Sequence, residues 1–233
     1  MNLNVKSMHL IDFIAAPIFP SMSKKPDTRT APSAPFDDRP TSGSRAQALV
    51  AVLTGDPDGE PAKPLDLARW KSVNPLADWI RIDMREAPPS SNGAWLRGQL
   101  SELLDRRHMQ PAQMVLLGRR NAGRAALNLV LDGSLTCAGI VGVDIPCAAP
   151  RGTIAPMTAG IRLVLHEGKV SRTDEGNLIN VLRREHADTR IMMLPSVGFD
   201  VAEATVRATG TFLFELIAKA SSHAINQGRS NHV

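Results

Sequence analysis

From Gln47 onward, short apolar runs alternate with segments patterned at helical spacing, and this alternation constrains the fold more than any other feature of the chain. Apolar runs of strand length lie at 47–53 (QALVAVL), 113–117 (QMVLL), 138–145 (AGIVGVDI), 161–166 (IRLVLH) and 190–194 (RIMML), and 79–84 (WIRIDM) alternates in and out. Helical spacing falls at 65–76, 94–107, 121–131, 174–185 and 201–221. In 94–107, for example, Leu96, Leu100, Leu103 and Leu104 share one face. Strands that alternate with helices build βαβ units, and strands apolar almost throughout are buried on both faces of a parallel sheet. The expected fold class is therefore α/β, a mostly parallel sheet with helices on both faces. Ligands of such sheets sit at the carboxyl ends of the strands. The informative loops are then 54–60, 118–123, 167–174 and 195–201.

Residues 21–45 carry Pro26, Pro32, Pro35 and Pro40 among Ser, Thr, Asp, Lys and Arg. So little apolar surface does not offset the entropy of ordering. Residues 1–45 are expected to form a disordered or weakly ordered arm, 46–221 the folded domain and 222–233 a flexible tail. The stretch 9–20 (HLIDFIAAPIFP) resembles the core of a signal peptide, but Asp12 interrupts it. The expected location is cytoplasmic, with export through that stretch as the alternative, and Met1, Met8 and Met22 all stand open as translation starts.

No run approaches about 18 consecutive apolar residues, so no transmembrane helix is expected. A composition 43% hydrophobic and 21% charged excludes a chain disordered throughout, a collagen-like repeat and a coiled coil. The net charge of +4 is mild. With no Tyr and only 4% aromatics, the chain lacks the stacking platforms of single-stranded nucleic-acid binders, and no nucleic-acid partner is expected. Cys137 and Cys147 flank a strand-like segment whose ends would lie about 30 Å apart. That exceeds the roughly 7 Å a disulfide tolerates, and reduced thiols suit the cytoplasm. The two cysteines lack metal-site spacing, and no zinc, iron–sulfur or P-loop pattern occurs, so neither a metal nor a cofactor is expected.

Residues 111–126 (PAQMVLLGRRNAGRAA) run strand, glycine, tight turn and glycine-containing helix start. This looks like the nucleophile elbow G-x-S-x-G of the α/β-hydrolases. Other landmarks follow in the same order. LTG at 53–55 resembles the strand end L-H-G, and GAW at 93–95 precedes a helix. AGIVGVDIP at 138–146 resembles the strand after the elbow. VLHEGKV at 164–170 resembles the h-G-x-x-D strand end, and LPSVGFD at 194–200 the g-x-G-H turn before the last helix. From about residue 46 to 220 the chain resembles the phospholipase/carboxylesterase family, which includes acyl-protein thioesterases. The resemblance implies the α/β-hydrolase fold without a large lid domain. It also implies serine-esterase chemistry, in which Ser attacks a carbonyl, His takes its proton and Asp orients the His.

The same register puts Arg120 at the nucleophile position, Val170 at the acid and Phe199 at the base. A guanidinium is not a nucleophile and keeps its proton, and Val and Phe have no proton chemistry. The oxyanion loop reads Thr54-Gly55-Asp56-Pro57-Asp58-Gly59-Glu60, and its carboxylates would oppose a developing oxyanion. The expectation is a degenerate hydrolase, a non-catalytic binding or scaffolding protein, with Asp56 or Asp58 paired to Arg120 across the former active site. Its partner would be a small anionic or acyl ligand or a protein; the oligomeric state is left open. Two alternatives stand beside it. One is an active ester or thioester hydrolase with a relocated triad, for which Ser196, His166 and Asp174 are the candidates. The other is an anion-binding sensor in which Arg119, Arg120 and Asn121, at a helix N-terminus, hold a phosphate or carboxylate. Each residue also has an ordinary role to weigh: surface arginines, a strand-end His166 bonded to backbone, an Asp174 complementing a helix start, and Ser171 and Ser196 in turns.

Overall fold

The computed structural model describes residues 47–55, 67–88, 91–150, 152–167, 172–185, 188–198 and 200–230. The chain divides into Met1–Thr41 and Ser42–Val233, and every element described here belongs to the second unit. Six strands form one sheet: β1 (Ala48–Thr54), β2 (Ala77–Asp83), β3 (Met114–Arg119), β4 (Gly139–Val143), β5 (Gly160–His166) and β6 (Thr189–Leu194). Their order is β2-β1-β3-β4-β5-β6, and every neighbouring pair is parallel. The helices are α1 (Leu67–Val73), α2 (Asn92–Arg107), α3 (Arg120–Leu131), α4 (Arg172–Glu185) and α5 (Val201–Ser230). None of them forms a separate lid domain among the described residues.

Period-two alternation divides the core into two layers. In β1, Leu49, Ala51 and Leu53 pack with the leucines of α2 and with α3 and α4, while Ala48, Val50 and Val52 pack with Trp70 of α1 and with α5. Met114 and Leu116 of β3 join the first layer, and Val115 and Leu117 join the second. All six residues from Ala48 to Leu53 are buried, which is why this strand reads as an unbroken apolar run. Each fully buried leucine here contributes about 2 kcal/mol relative to exposure.

The chain runs from β1 outward to β2, then returns past β1 to β3 and continues the other way. The sheet therefore changes winding direction between β1 and β3. At such a point the crossovers leave on opposite faces and open a crevice beyond the strand ends. Thr54-Gly55 and Gly118–Arg120 stand at that crevice.

Two expected boundaries are corrected. The strand expected over 138–145 ends at Val143, because Asp144 takes a left-handed φ of 50° that a strand does not accommodate. The last helix, expected to end at Ser221 before a flexible tail, continues to Ser230; no proline stands in 222–230 to stop it. Cys137 and Cys147 are both buried and unbridged, and burial pushes the Cys137 thiol up to about 12. Among the described residues, no helix is long and apolar enough to cross a membrane.

Candidate functional site

β3 ends at Arg119 and α3 starts at Arg120, with no residue between them. A strand turns into a helix that abruptly only if one residue takes a left-handed conformation. Arg120 takes it, with φ of 47°. For a residue with a side chain this costs on the order of 1 kcal/mol. The turn also drives α3 into backbone contact with β3. A Cβ on Gly118 would lie 2.5 Å from the Gly123 Cα, and one on Gly123 would lie 2.5 Å from the Gly118 carbonyl oxygen. Both positions therefore need glycine.

The result is a sharp elbow whose left-handed residue is an arginine. Arg120 is half-buried and makes no hydrogen bond or ion pair among the described residues. Arg119 points its guanidinium toward the neighbouring strand end, with Nη2 3.8 Å from Asp144 Oδ2. Burial pushes Arg119 below its usual range, the Asp144 carboxylate opposes that, and the Arg120 charge adds to it.

Behind the elbow lies a chain of polar groups drawn from three elements. In β5 the side chains of Arg162, Val164 and His166 alternate toward the α5 face. His166, at the strand end and only 4% exposed, places Nδ1 2.5 Å from Asp144 Oδ1. Its Nε2 lies 2.8 Å from Thr205 Oγ1, and Thr205 donates to the Val201 carbonyl at 2.6 Å. The expected bond of His166 to backbone is thereby corrected: its partners are a carboxylate and a hydroxyl.

Both ring nitrogens of His166 are engaged, by Asp144 and by Thr205. Ser196 is exposed on the bend after β6. Asp174 lies within the first turn of α4, which begins at Arg172. Asn121 is exposed on the first turn of α3, beside Arg119 and Arg120. Asp56, Asp58, Val170, Ser171 and Phe199 lie outside the described residues, and with them the expected pairing to Arg120. Asp144 and Thr205 were missed by sequence reasoning. For Asp144 one signal was present: an Asp closing the apolar run GIVGV and followed by Ile-Pro. Thr205 carried none, since it sits in an ordinary helical pattern.

No protein-family model matches the chain, and no curated protein sequence does. Solved structures do match. Esterase PE8 superposes with a TM-score of 0.57 at 16% identity, covering 75% of this chain and 94% of its own. The hormone-sensitive lipase from a metagenome library gives 0.58 at 13% identity, over 77% and 79%. A variant of Arabidopsis thaliana SOBER1 gives 0.54 at 14% identity, over 73% and 99%. The fold is that of the α/β-hydrolases.

Proposed function

We propose that this chain is a non-hydrolytic protein of the α/β-hydrolase fold that binds a small anionic or acyl ligand at the carboxyl end of its sheet. One observation carries the reading: the left-handed elbow residue after β3 is Arg120. A guanidinium stays protonated and cannot attack a carbonyl, yet it donates paired hydrogen bonds to a carboxylate or phosphate. The start of α3 lends its unpaired N–H groups and positive dipole end to the same place. The imidazole nearest the elbow is committed to Asp144 and Thr205, so it is not poised as a general base. In this reading Arg119 positions rather than binds, since its guanidinium faces Asp144. We assign the protein to the cytoplasm, in keeping with its buried, unbridged thiols.

The structural likeness to esterases and lipases favours a second reading, an active ester or thioester hydrolase. One experiment separates the two. The full chain is assayed with p-nitrophenyl acetate and butyrate and treated with a fluorophosphonate probe. No turnover above buffer and no labelling is the expected result. Turnover that disappears on mutating a single serine or threonine overturns the non-hydrolytic reading. For binding, the probes are inorganic phosphate and butyrate. A thermal shift with either, abolished in Arg120→Ala, is expected; a shift that survives the substitution removes Arg120 from the ligand site.

A further inference from the structure

We propose that Arg124 is a positioning residue: it fixes the coil after β4 as a wall beside the elbow, and that wall takes the aliphatic part of the ligand. This rests on the reading of Arg120 as the group that holds the ligand's anionic end. Arg124 stands on α3 one turn beyond Arg120. Its guanidinium reaches off the helix to the coil. Nη1 donates to the Pro146 carbonyl at 2.9 Å and Nη2 to the Ala149 carbonyl at 3.4 Å. Nε donates to Asn128 Oδ1 at 2.9 Å, so the next turn of α3 braces the same guanidinium. A planar fork can span two carbonyls three residues apart, whereas an ammonium is a single point charge.

The coil over 144–149 has neither helix nor strand of its own, so its order comes from what it touches. The Asp144 N–H donates to the Val164 carbonyl at 2.9 Å, and Asp144 Oδ2 lies 3.8 Å from Arg119 Nη2. Ile145 is buried against α3: a Cβ on Gly123 would lie 2.9 Å from its Cγ2. From α4, the Leu178 N–H donates to the Cys147 carbonyl at 3.4 Å. Of these ties, that of Arg124 grips two carbonyls at once and closes the far end of the coil. Buried Ile145 and Cys147 alternate with exposed Pro146 and Ala148, and Ala149 is exposed too. The exposed side chains are small and apolar, with no donor and no charge. The Pro146 and Ala149 carbonyls are already engaged by Arg124. Such a surface suits an alkyl chain and offers little to a phosphate. The ligand class is therefore a short aliphatic monocarboxylate. A wall ordered in advance spares that ligand the cost of ordering it.

The test uses the 15N-labelled full chain, with butyrate and inorganic phosphate as probes, in wild type, Arg124→Ala and Arg124→Lys. Backbone order parameters of Cys147, Ala148 and Ala149 are expected near 0.85 in wild type and below about 0.6 in both variants. Binding is read from the amide shifts of residues 119–123. Arg124→Lys keeps the charge, so its phosphate affinity should stay within about twofold of wild type, while butyrate weakens about tenfold. A merely structural role would weaken both probes alike. If Arg124→Ala fails to fold, Arg124→Lys carries both measurements. A coil that stays rigid in the variants overturns the proposal. Equal weakening of butyrate and phosphate in Arg124→Lys overturns it too, while leaving Arg120 as the anion-binding residue. Elbow amides that respond to neither probe in wild type overturn the reading of Arg120 itself, and this proposal with it.

Discussion

Arg120 combines a strained backbone with a half-buried charge, and the two can be separated. Glycine tolerates φ of 47° without a Cβ penalty. Arg120→Gly is therefore expected to leave the unfolding free energy measured in urea unchanged or to raise it by up to about 1 kcal/mol. It should also erase the thermal shift produced by phosphate or butyrate, which ties the arginine to binding rather than to folding. A second residue tests burial of a polar group. Thr209, one turn beyond Thr205 on α5, is fully buried and its hydroxyl has no hydrogen-bond partner among the described residues. Burying an unsatisfied hydroxyl costs roughly 1–3 kcal/mol. Thr209→Val keeps the shape and removes that cost, so it should stabilise the protein by about 1 kcal/mol in urea unfolding. Gly118→Ala should do the reverse and lower stability by more than about 2 kcal/mol, because the new Cβ would meet backbone that cannot step aside.

At the scale of elements, the pairing of β5 with α5 organises the molecule. The α5-facing residues of β5 are polar at both ends, and each end is answered from the helix. His166 meets Thr205 at the carboxyl end. At the other end Arg162, only 2% exposed, bonds Glu215 and also Asp188, and Lys219 closes the network on Asp188. Burial alone would push the Asp188 carboxyl up, but Lys219 and Arg162 outweigh it and hold it below its usual range. A carboxyl depressed in the folded state contributes stability that is present above the ordinary carboxylate range and is lost as pH falls through it. Asp188→Asn should thus be less stable than wild type at about pH 7, with the gap closing below about pH 4. The Asp188 side chain is 39% exposed, so solvent screening keeps the gap to about 1 kcal/mol or less.

At the scale of the whole molecule, the reversal of winding between β1 and β3 brings the LTG strand end and the elbow to one crevice. Installing the family side chains as Arg120→Ser, Val170→Asp and Phe199→His together should yield little p-nitrophenyl butyrate hydrolysis above buffer. Any single one of the three should yield none, because triad members act as a unit. The limit proposed for the triple variant is the acidic sequence Asp56-Pro57-Asp58-Gly59-Glu60, which, in the register proposed for the oxyanion loop, is electrostatically wrong for an oxyanion. Neutralising it with Asp56→Asn, Asp58→Asn and Glu60→Gln should raise the rate of the triple variant.

The order of strands and helices, the parallel sheet and the elbow were legible in the residues, because each rests on local physics. Apolar period marks buried strands and helix faces, and Gly118 and Gly123 bracket a turn that only glycine lets close so tightly. The same local signals located Arg120 at the elbow. The Asp144–His166–Thr205 chain was not legible, since its members are separated by 22 and 39 positions and sit just past β4, at the end of β5 and on α5. Alternation along β5 tells which face His166 occupies, but not what stands opposite it. That is set by the register of β4 against β5 and by the path of α5 across the sheet, which only the packed structure determines.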